Sequence, residues 1–204
     1  IDVIITNNPF TITVKDSGRG IAVKYNEQLN EYQPISAWTR SRSGSSFSET
    51  RVSLGLNGIG SMATYCFSKT FKGETHDGKN GLVFEKRDNV RVFPSKKQGT
   101  TVTFSPDFSL LKIDFNDELY DNHCEFIKQR LINLSLCYPK IKFTFNGENV
   151  SFKSIDLFAN AVSENNIIYK SDKFSIIIAS TAEVQEFRFH NYTNGLYNIN
   201  GGSV

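Results

Sequence analysis

Apolar and polar positions set out the elements of this chain in order. Val3-Ile4-Ile5, the turn signal Asn7-Asn8-Pro9, and then Phe10, Ile12 and Val14 alternating with Thr11, Thr13 and Lys15 predict a β-hairpin. A short helical segment is expected beyond Ile21, ahead of Pro34-Ile35-Ser36-Ala37-Trp38. From Thr39 to Ser53 the chain is rich in Ser and Arg, too polar for a core and too short for a domain linker, and it reads as a loop. Ile59, Met62, Ala63, Cys66 and Phe67 then recur at helical spacing, so the glycine run before them opens a helix. Strands are predicted near 71–75 and 82–86 around an Asp77-Gly78 turn, and at Val102 and Phe104 before Pro106. The strongest helix covers Asp117 to Cys137, with Cys124, Ile127, Leu131 and Leu134 on one face, Asp121 and Glu125 in its first half, and Pro139 ending it. A hairpin with a type I′ turn at Asn146-Gly147 and a short helix at 156–162 follow.

At Ser163-Glu164-Asn165-Asn166 the composition shifts, and beyond it only strand-like runs remain, at 167–169, 174–179 and 184–189. A domain boundary is expected there, dividing the chain into 1–164 and 165–204. Helices mixed with mostly antiparallel strands, and no βαβ regularity, predict an α+β sandwich with helices on one face of a sheet.

Composition narrows the class. Of 204 residues, 39% are hydrophobic and 22% charged, the profile of a folded globular protein and not of a disordered or collagen-like chain. A net charge of +2 does not by itself point to nucleic acid. The longest apolar run, Ile176–Ala179, is far below the ~20 residues of a membrane span. Cys66, Cys124 and Cys137 show no metal-ligand spacing and read as buried thiols in a reduced, cytosolic setting; His76, His123 and His190 are scattered. A chain that opens on Ile1 inside a strand is expected to be a piece of a longer polypeptide or a processed product.

Three short motifs carry candidate chemistry. Asp16-x-Gly18-x-Gly20 stands at a strand end, where glycines let a ligand approach the backbone and a carboxylate can accept from an amino group such as that of adenine. The same composition also makes an ordinary turn. Gly55-x-x-Gly58-x-Gly60 opens a helix, whose free N–H groups and dipole suit a phosphate. It is neither a P-loop nor a Rossmann fingerprint, and a tightly packed loop-to-helix junction needs small residues too. Gly99-Thr100 enters a strand, where a hydroxyl beside Asp16 could share a bridging water to a base.

Taken in order, an acidic-Gly turn, a long polar loop, a glycine-opened helix and Gly-Thr on a strand resemble the GHKL ATPase superfamily of gyrases, heat-shock chaperones, sensor kinases and mismatch-repair proteins. Val14-Lys15-Asp16-Ser17-Gly18-Arg19-Gly20-Ile21 and Leu56-Asn57-Gly58-Ile59-Gly60-Ser61 are similar to type II topoisomerase ATPase signatures. The segments 73–78, 104–108 and 138–147 resemble the large subunit of T-even bacteriophage topoisomerases, and Asn194-Gly195-Leu196 with Asn200-Gly201-Gly202 resemble the start of its transducer domain. The resemblance implies a Bergerat-type ATP site in 1–164 and an incomplete transducer in 165–204. In it Asp16 reads the adenine amine, with Thr100 in support, while Gly18, Gly20 and Ile21 shape the wall. Ser43 to Leu54 form a lid, and Gly55, Leu56, Asn57, Gly58, Ile59, Gly60 and Ser61 hold the phosphates. It further implies Mg²⁺, ATP-dependent dimerisation gating DNA strand passage, and a DNA-cleaving partner subunit, all in the cytoplasm (the host cell's if the chain is phage-encoded) and away from membranes.

The family's general-base Glu and magnesium-binding Asn fall upstream of Ile1 and its transducer lysine downstream of Val204, so no catalytic or metal residue is expected within these residues, which alone should hydrolyse essentially no ATP. Gly44-Ser45-Ser46 stands where relatives carry a lid lysine, Leu54 where they carry a glycine, and Val204 where a His is common. The alternative is a non-enzymatic nucleotide-binding or assembly fragment of a split protein of this kind.

Overall fold

The computed structural model describes residues 1–41, 58–86, 89–180, 190–193 and 196–197. The lid segment, Gly55, Leu56 and Asn57, the strand expected at 184–189, and the motifs at 194–195 and 200–202 lie outside these. In chain order the elements are β1 (Asp2–Thr6), β2 (Thr11–Asp16), β3 (Tyr25–Asn26), β4 (Glu31–Tyr32), α1 (Gln33–Thr39), α2 (Gly60–Cys66), β5 (Ser68–Asp77), β6 (Asn80–Glu85), β7 (Asn89–Pro94) and β8 (Gln98–Pro106). Next come α3 (Phe108–Leu111), α4 (Asp117–Cys137), β9 (Thr144–Phe145), β10 (Glu148–Asn149), α5 (Ile155–Val162), β11 (Asn166–Lys170), β12 (Ser175–Ala179), β13 (Tyr192–Thr193) and β14 (Leu196–Tyr197).

Eight strands form one sheet in the order β10-β9-β1-β2-β8-β5-β6-β7, antiparallel throughout except for β1 beside β9. The two-residue period decides its faces. Ile12, Phe104 and Phe71 share a cross-strand row, as do Val14, Val102 and Gly73, and Asp16, Thr100 and Thr75. These rows make up the helix-bearing face. On the opposite face Thr13 and Thr103 hydroxyls meet at 3.0 Å and Lys72 pairs with Glu85, so the middle of that side is polar. The expected α+β architecture, helices on one face of a mixed and mostly antiparallel sheet, is therefore the one observed.

The core is divided in two. Val3, Ile5, Phe10, Leu131, Phe143, Phe145 and Val150 form one cluster under α4, with Ile12 packed against it. Val23, Ile35, Trp38, Phe71, Leu82 and Phe84 form the other under α1, with Tyr65 of α2 and with Val102 and Phe104 of β8. The division runs between β2 and β8, where Val14 is 38% exposed and belongs to neither cluster.

Local signals explain most boundaries. Asn116 caps α4 by accepting from the Leu119 N–H at 2.8 Å, with Asp117 and Glu118 in the first turn. Asn146 (φ 48°) and Gly147 (φ 85°) give the I′ turn.

Three expectations are corrected. The segment after Ile21 is no helix but the β3–β4 hairpin: Asn26 accepts from the N–H groups of Gln28 and Leu29, Asn30 turns to φ 52°, and helix waits for Pro34 in the first turn of α1. The apolar stripe of α2 does not pack as its spacing suggests. Ile59, Cys66 and Phe67 are exposed, while the ring of Tyr65 lies 5.5 Å from Phe71 and 5.9 Å from Phe84. The thiols are not uniformly buried, since Cys66 and Cys137 sit exposed at helix ends and only Cys124 is half-buried. Finally, β7 and α3 had no predicted counterpart. Among the described residues no helix is long and apolar enough to cross a membrane.

Candidate functional site

Asp16 closes β2, facing Thr100 of β8, which faces Thr75 of β5. The row thus crosses the division between the two cores. Asp16 Oδ1 accepts the Gly18 N–H at 2.7 Å, a tight local turn that leaves Oδ2 for another donor. The chain then doubles back over the sheet. At Gly20, φ is +74° and a Cβ would overlap the His76 carbonyl oxygen and lie 2.7 Å from its carbon, so only glycine fits. Ile21 N–H donates to Thr75 Oγ1 at 2.9 Å, and that hydroxyl lies 3.1 Å from Thr100 Oγ1 and 3.3 Å from the Gly99 carbonyl. Thr75 is completely buried.

Two residues on, Asp77 Oδ2 accepts the Val23 N–H at 2.9 Å, while Oδ1 accepts the N–H groups of Lys79 at 2.9 Å and Asn80 at 2.7 Å. These backbone donors, Asn80 foremost and then Val23 and Lys79, lower the Asp77 carboxyl from 3.8 to about 2. A folded-state value below the unfolded one stabilises the fold fully above about pH 4, and that contribution is lost as pH falls toward 2. Acid titration of unfolding free energy should therefore show a shallower fall between pH 4 and 2 in Asp77→Asn than in the wild type. Superimposable slopes would mean that these bonds are not made in solution.

The second predicted group, Gly58, Ile59, Gly60 and Ser61, stands at the start of α2. Ile59 supplies no side-chain cap, and the Ser61 hydroxyl donates to the Ala37 carbonyl at 2.8 Å, tying α2 to α1. A Cβ on Gly60 would meet nothing within 4 Å, so packing does not demand glycine there. Through Tyr65, α2 rests on Phe71 and Phe84, which share the sheet face that carries Asp16 and Thr100. Asp16, Gly18, Gly20, Ile21 and Thr100 are thus one cluster, and Gly58–Ser61 open a helix over the same face.

Two residues of the cluster were not singled out from sequence. Thr75 and Asp77 sit in a strand-and-turn that reads as ordinary β structure, and their partners lie 54 positions upstream. The described residues do not fit a Mg²⁺ site of their own: no three His, Cys, Asp or Glu side chains among them converge to hold a metal.

A mostly antiparallel sheet with helices on one face and an acidic-glycine turn closing a central strand is the fold seen in the ATPase regions of type II topoisomerases. The structure superposes on the ATPase region of Saccharomyces cerevisiae topoisomerase II with a TM-score of 0.82 at 20% identity, covering 97% of this chain and 55% of that one. No protein-family model matches the chain. By sequence it resembles the DNA topoisomerase large subunit of Enterobacteria phage T4, 36% identical over 214 residues that take in 99% of this chain and 40% of that protein. It is also similar to the mitochondrial DNA topoisomerase 2 of Dictyostelium discoideum, 26% identical over 234 residues, 100% of this chain and 18% of that one. The chain thus spans well under half the length of these relatives. In fold and sequence it resembles the GHKL-type region of a type II DNA topoisomerase large subunit, in particular that of T-even bacteriophages.

Proposed function

We propose that this chain is the ATP-binding part of a type II DNA topoisomerase subunit, with residues 1–164 as the nucleotide-binding unit and 165–204 as the start of a transducer. The observation that carries the reading is the Asp16–Thr100 row, half-buried at the open division of the sheet and walled by a glycine turn that a Cβ would block. In this reading the Asp16 carboxylate accepts from the adenine amine, and Thr100 shares a water between that carboxylate and the ring. Backbone N–H groups of 55–61 receive the phosphates, and Mg²⁺ arrives with the triphosphate. Nucleotide contacts that favour a closed, dimerised state would gate DNA passage, and hydrolysis would remove that bias. The partners are then DNA, a second copy of the subunit and a DNA-cleaving subunit, in the cytoplasm of an infected host if the chain is phage-encoded.

Calorimetric titration of the complete subunit with a non-hydrolysable ATP analogue tests this. Asp16→Asn keeps the shape and removes the charge from a hydrogen bond to a sheltered amine, a change worth roughly 1.5–3 kcal/mol, or ten- to a hundredfold in affinity. Equal affinities would show that Asp16 does not read the base.

A further inference from the structure

We infer that Thr75 and Asp77 are positioning residues for the wall of the nucleotide site, holding residues 21–23 on the end of β5 by two side-chain oxygen atoms in place of a backbone ladder. Both main-chain edges of this part of β5 are already occupied, by β8 through Thr75↔Thr100 and Asp77↔Gln98, and by β6 through Thr75↔Leu82 and His76↔Gly81. A further segment can be held only from above the sheet. Thr75 and Asp77 are two residues apart and so share one face; their bonded donors, Ile21 N–H and Val23 N–H, are likewise two apart and are met in the same order. The spacing of acceptors on the strand thereby matches the spacing of donors on the segment running beside it, which turns away immediately afterwards as the Lys24 N–H donates to the Ala22 carbonyl at 3.0 Å.

The arrangement also bears on Thr100. A threonine hydroxyl has one proton and two lone pairs. Thr75 Oγ1 accepts from Ile21 and has its single proton for either the Gly99 carbonyl or Thr100 Oγ1. When it donates to Thr100, the Thr100 proton is released toward the site; when it donates to Gly99, Thr100 donates back to Thr75 and offers the site only a lone pair. Thr75 therefore sets both the path of the wall and the hydrogen-bonding sense of the hydroxyl beside Asp16.

The consequence for affinity rests on the ATP reading above; the consequence for the backbone does not, and two measurements separate them. Amide hydrogen exchange on this chain should show Ile21 exchanging at least tenfold faster in Thr75→Val, with Thr75→Ser close to wild type because it keeps the hydroxyl. Val23 should respond in the same way to Asp77→Asn, a variant that reads the second bond even if Thr75→Val does not fold. In the complete subunit, Thr75→Val should bind a non-hydrolysable ATP analogue at least fivefold more weakly, and Thr75→Ser within twofold of wild type. Unchanged exchange at both Ile21 and Val23, or a Thr75→Ser that loses as much affinity as Thr75→Val, overturns the positioning role. Wild-type subunit that fails to bind the analogue while these exchange differences persist overturns the ATP reading and leaves the side-chain tether standing.

Discussion

Trp38→Ala is expected to lower folding stability by about 3–5 kcal/mol, measured by urea unfolding of this chain. The indole is 4% exposed and lies over the strand at Gly73, where a Cβ would stand 2.5 Å from ring carbon Cζ3. It stacks on Phe84 at 6.3 Å between centroids and 18° between planes, and meets Phe71 at 6.2 Å. Its floor is main chain fixed by β6 on one side and β8 on the other, so the site cannot collapse when the ring is removed. The cost therefore includes an unfilled cavity as well as lost burial. A loss below about 1 kcal/mol would mean that α1 does not seat on the sheet as described.

Gly20→Ala is expected to cost about 2–4 kcal/mol, the sum of a left-handed backbone adopted by an L-residue and a displacement forced by contact with main chain. The clash is with the His76 carbonyl, held between strands, so no flexible side chain can give way. Relief requires the turn to lift off β5, which would also break the Ile21–Thr75 bond. Denaturant midpoints for Gly20→Ala and Gly60→Ala give the contrast, because a Cβ at Gly60 meets nothing within 4 Å and should be nearly neutral. Equal effects at the two positions would refute the close approach at Gly20.

Elements built from local chemistry were legible in the sequence. The first hairpin alternates cleanly, α4 carries its own cap and acidic first turn, and Asn146-Gly147 admits little but a I′ turn. The elements missed lack such signals. All six residues of β7 are exposed, so the burial that creates a readable period is missing along that edge strand. The β3–β4 hairpin is two residues per strand, set by Asn side chains that compete with helix. Spacing alone places Cys66 on an apolar stripe because it is blind to size, and in a seven-residue helix one tyrosine ring makes the contact. At the site, Asp16, Gly18, Gly20 and Thr100 were readable as motif residues. Thr75 and Asp77 were not, since a polar side chain in a strand acquires its role only from what the fold lays across it.

The split core has a mechanical meaning. Among the described residues, the half under α4 and the half under α1 meet at the ladder of β2 with β8, and the segment that leaves β2 ties them again through Ile21–Thr75 and Val23–Asp77. Asp16 and Thr100 stand on the facing strands of that seam, so a molecule held by both side chains would clamp the two halves together at one end of it.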